Sequence, residues 1–136
     1  MAPPNGHMGS KAEWERIERP LVELDPAIGT FAKKHGLSCS ANYHGWPERS
    51  LVWGAGVRRL IQIYLEDEAR LTFRVWLCAS QDRGLKRYWK RENLREGLDP
   101  EQLKAELLEL LEMAYEKVNS WPQSSLEFAT DIAALK

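Results

Sequence analysis

Between Arg83 and Arg95 the chain carries Arg83, Lys86, Arg87, Lys90, Arg91 and Arg95, with Tyr88 and Trp89 set among them. Cations interleaved with aromatic rings suit single-stranded nucleic acid, because the charges hold phosphates while the ring faces stack on bases. The same run also reads as an edge strand guarded by Lys and Arg against unwanted pairing. A formal net charge of -1 gives no overall attraction to polyanions, and the chain has no RRM, KH or helix-turn-helix signature. Edge protection is therefore the favoured reading of this run, and nucleic acid the alternative.

A second set of candidates lies one turn upstream. From Val57 to Leu65 the odd positions Val57, Ile61, Ile63 and Leu65 are apolar, with Arg59 the exception, and from Leu71 to Ala79 every odd position is apolar. This alternation predicts two half-buried strands with their odd sides on one core. The even side then carries Arg58, Leu60, Gln62, Tyr64 and Glu66 against Thr72, Arg74, Trp76 and Cys78. Trp, Tyr and Arg bring large contact area and strong hydrogen bonding to the centres of protein interfaces. Trp76, Tyr64, Leu60, Arg74 and Arg58 are thus the expected protein-binding residues, unless the Trp121 to Lys136 tail folds over them.

Little else offers chemistry. His44, in the turn His44-Gly45-Trp46-Pro47-Glu48, has aromatic company but no nucleophile or metal partner at a useful spacing, and His35 beside Gly36 suits a helix end. Glu66, Asp67 and Glu68 cluster in a turn, where carboxylates are usually solvated. Cys39 and Cys78 fall in predicted strands without CxxC or His spacing, and bridge only if those strands are neighbours. Gly54-Ala55-Gly56 matches neither phosphate-loop pattern and leads into a strand rather than a helix. No enzyme activity, metal or cofactor is expected.

The elements that must hold these residues follow from periodicity and punctuation. Met1 to Ser10 reads as a disordered tail whose Gly-His-Met-Gly-Ser ending looks like a cloning scar, leaving 11–136 as a single domain. Trp14, Ile17, Leu21, Leu24, Ile28 and Phe31 make one helical stripe, with Pro20 as a kink and Asp25-Pro26 opening a second segment that ends at Gly36. Leu37 to Tyr43 is a short polar edge strand, Ser50 to Trp53 the next, and Gly54 to Gly56 a bend. The simplest register of the central hairpin pairs Leu65 with Leu71, Ile63 with Phe73, and Ile61 with Val75, around a loop of Asp67, Glu68 and Ala69. Leu85 to Arg91 extends the sheet. Asp99-Pro100-Glu101-Gln102 opens the clearest helix, with Leu103, Leu107, Leu110, Leu111, Ala114 and Val118 on one face. Trp121-Pro122 ends it, and Ser124 with Glu127 caps a short last helix.

The expected architecture is α+β: an antiparallel β-meander of four or five strands, flanked in sequence by N- and C-terminal helices packed on one face. The expected role is a non-enzymatic protein-binding, adaptor or chaperone-like module that binds another protein or a second copy of itself. With no membrane-spanning run and no signal peptide, a cytoplasmic setting is expected.

Overall fold

A computed structural model describes residues 10–41 and 45–129. The chain begins with a 25-residue helix, α1 (Lys11–His35), started by the Ser10 hydroxyl, which accepts the Glu13 N–H at 3.1 Å. Ser10 therefore serves as the N-cap of α1. Pro20 and Pro26 both lie inside α1, so no second helix begins at Asp25. Each interior proline costs about 3 kcal/mol. One unbroken stripe buries Trp14, Ile17, Leu21, Leu24, Ile28 and Phe31, at about 1.5–3 kcal/mol per side chain, and outweighs that cost. Gly36 ends the helix at φ 68, with the Leu37 N–H returned to the Ala32 carbonyl at 2.8 Å.

Among the described residues six strands form a single antiparallel sheet whose spatial order is the sequence order. They are β1 (Ser38–Ala41), β2 (Glu48–Trp53), β3 (Arg58–Asp67), β4 (Thr72–Arg83), β5 (Lys86–Leu98) and β6 (Glu127–Phe128). The meander has more strands than expected because Glu127–Phe128 pairs with Tyr88 and Trp89 on β5. No last helix begins at Ser124: Gln123–Ser125 is a single 3-10 turn, and Leu135 lies outside the described residues. His44 and Tyr43 also lie outside them. Between β2 and β3, Gly54 sits at φ 101, where a Cβ would stand 2.2 Å from the Val57 carbonyl oxygen. That bend admits only glycine.

The central hairpin keeps the expected faces but not the expected partners. Ile63 pairs with Val75, Leu65 with Phe73 and Ile61 with Leu77. Leu71 is not in the strand at all; it closes the turn at φ 54, and a bulge at Glu66 brings Asp67 opposite Thr72. Sliding the pairing by two residues preserves every inward side chain, so alternation alone cannot choose between the two registers. Arg70 accordingly does not meet Glu66: its backbone N–H reaches Asp67 Oδ1 at 3.1 Å. Leu60 lies opposite Cys78 rather than Trp76, which pairs with Gln62.

The second helix, α2 (Pro100–Ser120), opens with the expected reciprocal cap, the Asp99 carboxylate on the Gln102 N–H and the Gln102 side chain on the Asp99 N–H. α1 contacts β1 and β2, while α2 packs on β3, β4 and β5. Both helices lie on the odd-numbered side of the hairpin, sealing Ile61, Ile63, Leu65, Phe73, Val75 and Leu77 against Leu103, Leu107, Leu110 and Leu111. The opposite face of the sheet receives neither helix.

Candidate functional site: the open face of the sheet

Strand pairing sorts the open face into rows. At one end Arg58, Ser80, Trp89 and Glu127 lie side by side across β3, β4, β5 and β6. The next row is Val52, Leu60, Cys78 and Arg91, and the third is Ser50, Gln62, Trp76 and Asn93. At the far end stand Glu48, Tyr64 and Arg74. Leu60, Tyr64, Arg74, Trp76 and Trp89 are half-buried and Arg58 is exposed, so most of this surface is partly open. Glu48 and Ser50 on β2 are buried.

A cationic sandwich spans the first three rows on the β4 and β5 side of the face. The Arg91 guanidinium lies 3.8 Å from the Trp89 ring centroid and 5.0 Å from that of Trp76. An arginine held over indole faces is favoured by the ring quadrupole and presents a flat, rigid, amphipathic surface. Sequence reasoning divides these residues between two sites, Trp76 with the hairpin and Trp89 with Arg91 in the basic run. Pairing of β5 with β4 makes them one cluster, because Cys78 meets Arg91 and Ser80 meets Trp89.

The far end is acidic and tightly bonded. Arg74 Nη2 donates to Glu66 Oε1 at 2.7 Å and to Glu96 Oε2 at 3.0 Å, while Asn93 Nδ2 also donates to Glu96 Oε2. The bulge in β3 aims the second Glu66 oxygen at the Gly97 N–H, 3.1 Å away. Burial alone would raise the Glu66 pKa, but these bonds from Arg74 and Gly97 win and lower it below the usual carboxylate value. Gln62 Nε2 extends the network to Glu48 Oε2 at 2.9 Å. Alternation already places Gln62 on this side, whereas Asn93 and Glu96 carry no signal in the sequence that would group them, since the irregular pairing of β5 with β4 hides which side each takes.

The basic run does not form one surface. Trp89 and Arg91 face the open side, whereas Lys90 lies over the Trp121 ring at 5.2 Å and Tyr88 stacks with Phe128 at 5.8 Å on the other. Lys86 lies 5.7 Å from the Phe128 ring and Arg83 4.1 Å from that of Tyr88. Arg87 forms a two-pronged ion pair with Asp82, at 2.7 and 3.1 Å, and Arg95 another with Glu106 of α2.

Both cysteine thiols are shifted upward. Burial pushes the Cys78 thiol up against the opposing pull of Arg58, Arg91 and Arg87, and burial with Asp25 raises that of Cys39. Two strands separate β1 from β4, which puts these strands roughly 14 Å apart at about 4.8 Å per spacing, and the register sets Cys39 and Cys78 on opposite faces, beyond the reach of a disulfide. His35 closes the last turn of α1 beside Gly36, and its ring also stacks 4.6 Å from Phe31 and 4.3 Å from Tyr115. Among the described residues no group of His, Cys, Asp and Glu has the arrangement of a metal site, and no helix is long and apolar enough to cross a membrane. Comparison of the chain with protein-family models, curated proteins and solved structures finds no match.

Proposed function

We propose that this chain is a non-enzymatic protein-binding module, adaptor-like or chaperone-like in type, that docks its partner on the open face of the sheet. The observation that carries this reading is the Trp76, Arg91 and Trp89 sandwich on a face that neither helix covers. Solvent contact at such a cluster is costly, whereas partner contact desolvates two indoles and a guanidinium together. Leu60 and Tyr64 extend the contact, Arg58 and Arg74 lie at its two ends, and unbridged thiols at Cys39 and Cys78 suit a cytoplasmic setting.

Nucleic acid fits this face less well. Arg58, Arg74, Arg87 and Arg91 are offset there by Glu48, Glu66, Asp82, Glu96 and Glu127, which gives a polyphosphate no excess of positive charge. The test is a photo-crosslinking amino acid placed at Leu60 or Trp76 in the full chain in cells, with Leu108 on the exposed side of α2 as control. A protein adduct formed from the sheet positions and not from Leu108 supports the reading. Absence of any protein adduct, with salt-sensitive binding of an oligonucleotide by the purified chain, overturns it in favour of the nucleic-acid alternative.

A further inference from the structure

The hairpin of β4 and β5 reaches past the rest of the sheet. β3 begins opposite Ser80, so from Gln81 round to Tyr88 the two strands have only each other and β6 as strand neighbours. The turn at the tip is Gly84 and Leu85, and Leu85 stands wholly in solvent at 107% relative exposure. Nothing in the folding of the hairpin asks for a leucine there, since turn positions favour polar residues. On the helix side of this arm Arg83, Lys86 and Lys90 alternate with the rings of Tyr88, Phe128 and Trp121, and Phe128 is half exposed. Arg83 is held by neutral acceptors, donating to Gln81 Oε1 at 2.8 Å and to the Gln123 carbonyl at 3.2 Å. Among the described residues no carboxylate pairs with Arg83, Lys86 or Lys90. The two carboxylates of the arm, Asp82 and Glu127, lie on its other side, where Arg87 takes Asp82. Behind the arm Glu92 is matched by Lys117. Arg83, Lys86, Arg87 and Lys90 against Asp82 and Glu127 therefore leave a local positive surplus in a chain whose net charge is -1.

We propose that this arm docks on an anionic phospholipid membrane, with Leu85 below the headgroups and Arg83, Lys86 and Arg87 among their phosphates. A convex arm with an aliphatic tip and unpaired cations behind it is complementary to a surface that is anionic outside and apolar beneath. The depths agree. A headgroup layer is roughly 7 Å thick on each side of the bilayer, and two residues of strand span about 7 Å. The cations next to the tip thus stand level with the phosphates when Leu85 reaches the acyl boundary. Lys90, five residues back, stays roughly 17 Å from that boundary and acts on the headgroups only across about one Debye length. Bases are served less well, because each ring has a face covered by one of the chain's own cations and Trp121 is buried. A two-residue tip also gives a folded protein far less than the roughly 800 Å² that a specific partner covers. The arm is separate from the open face, and the proposal does not depend on what docks there.

The test is co-sedimentation of the full chain with vesicles of phosphatidylcholine alone and of phosphatidylcholine with about 30% phosphatidylserine. Binding should be at least about tenfold tighter to the anionic vesicles, and should weaken severalfold when salt is raised from about 0.1 M to about 0.5 M. Leu85→Ser should loosen it about tenfold, whereas Leu85→Trp, which suits the membrane interface, should tighten it. Lys86→Gln should loosen it about fivefold and the more distant Lys90→Gln only about twofold, while Lys104→Gln on the exposed side of α2 should leave it unchanged. Leu85 packs against nothing, so its variants keep the fold, which circular-dichroism melts check. A chain that stays in the supernatant at about 5 mM anionic lipid, or binding that neither Leu85 variant changes, overturns the proposal. Binding of a single-stranded oligonucleotide that both lysine variants weaken alike and Leu85→Ser leaves intact assigns the arm to nucleic acid instead.

Discussion

Arg49 occupies a core-facing position of β2 where alternation calls for an apolar side chain, and its side-chain exposure is only 6%. Its guanidinium donates to both Asp25 oxygens, at 2.7 and 3.1 Å, and stands 3.5 Å from Glu18 Oε2, while Glu18 Oε1 accepts the Trp14 indole N–H at 3.1 Å. The cluster ties α1 to the sheet at the level of Pro26 and explains why Asp25 does not cap a new helix. Removing one member of a buried pair leaves the other charge uncompensated. Arg49→Ala should therefore cost about 3–5 kcal/mol in a urea titration, while Arg49→Met with Glu18→Leu should recover more than half of that loss. Equal losses for the single and double variants would show that packing, not the stranded charge, sets the cost.

A second residue-scale consequence concerns acid. Glu66 has its pKa lowered in the folded chain, so its contribution to stability is full above the ordinary carboxylate value of 4.5 and is lost as pH falls through the lower folded value. Arg74→Gln removes the strongest lowering partner and leaves burial unopposed except for the Gly97 N–H. The Glu66 carboxyl resonance should then titrate at higher pH than in the parent chain. The stability gap between parent and variant should close as the pH is taken below both midpoints. A Glu66 midpoint that does not rise would place the cause elsewhere than in Arg74.

At the scale of elements, the two helices and the central strands were legible because each repeats one period over many residues. What escaped was set by single residues whose local preference tertiary packing overrode. Pro20 and Pro26 look like breaks, yet both sit within a stripe whose burial outweighs them. Glu48 and Arg49 look too polar for a strand, so β2 read two residues short. Leu71 completes the alternation of β4 but takes φ 54 in the turn, which shifts the hairpin register by two. The open-face cluster was legible only in halves, because joining Trp76 to Arg91 required the β4 and β5 register. The contrast between Gly29 and Gly54 tests how far packing dictates these elements. Gly29 lies within α1 with open space where a Cβ would project, so Gly29→Ala should stabilise by about 0.5–1 kcal/mol. Gly54→Ala meets both a positive φ and a carbonyl 2.2 Å away and should lose more than about 2 kcal/mol. Similar thermal midpoints for the two variants would mean that the β2 to β3 bend relaxes freely.

For the whole molecule, two helices on one side of a meander give a graded stability across the sheet. β3 and β4 are bonded on both edges and carry the fully buried Ile61, Ile63, Phe73, Val75 and Leu77. β1 is exposed at all four residues and bonded only to β2, while β6 is a two-residue strand held by β5 and by the Ala129 N–H on the Arg87 carbonyl at 2.8 Å. Local opening exposes little apolar area at either edge, but opening at the centre requires α2, which packs on β3 and β4, to leave. Amide hydrogen exchange should therefore be slowest at Ile61, Ile63, Val75 and Leu77, with free energies that follow global unfolding in added urea. Amides of β1 and β6 should exchange with much lower free energies that barely respond to urea. If the chain associates through its open face, raising the protein concentration should slow the central amides further, because mass action stabilises the folded dimer. It should leave β1 exchanging as before, since edge opening does not separate the two sheets. A β1 edge that became protected in step with concentration would instead mark strand-to-strand pairing as the mode of association.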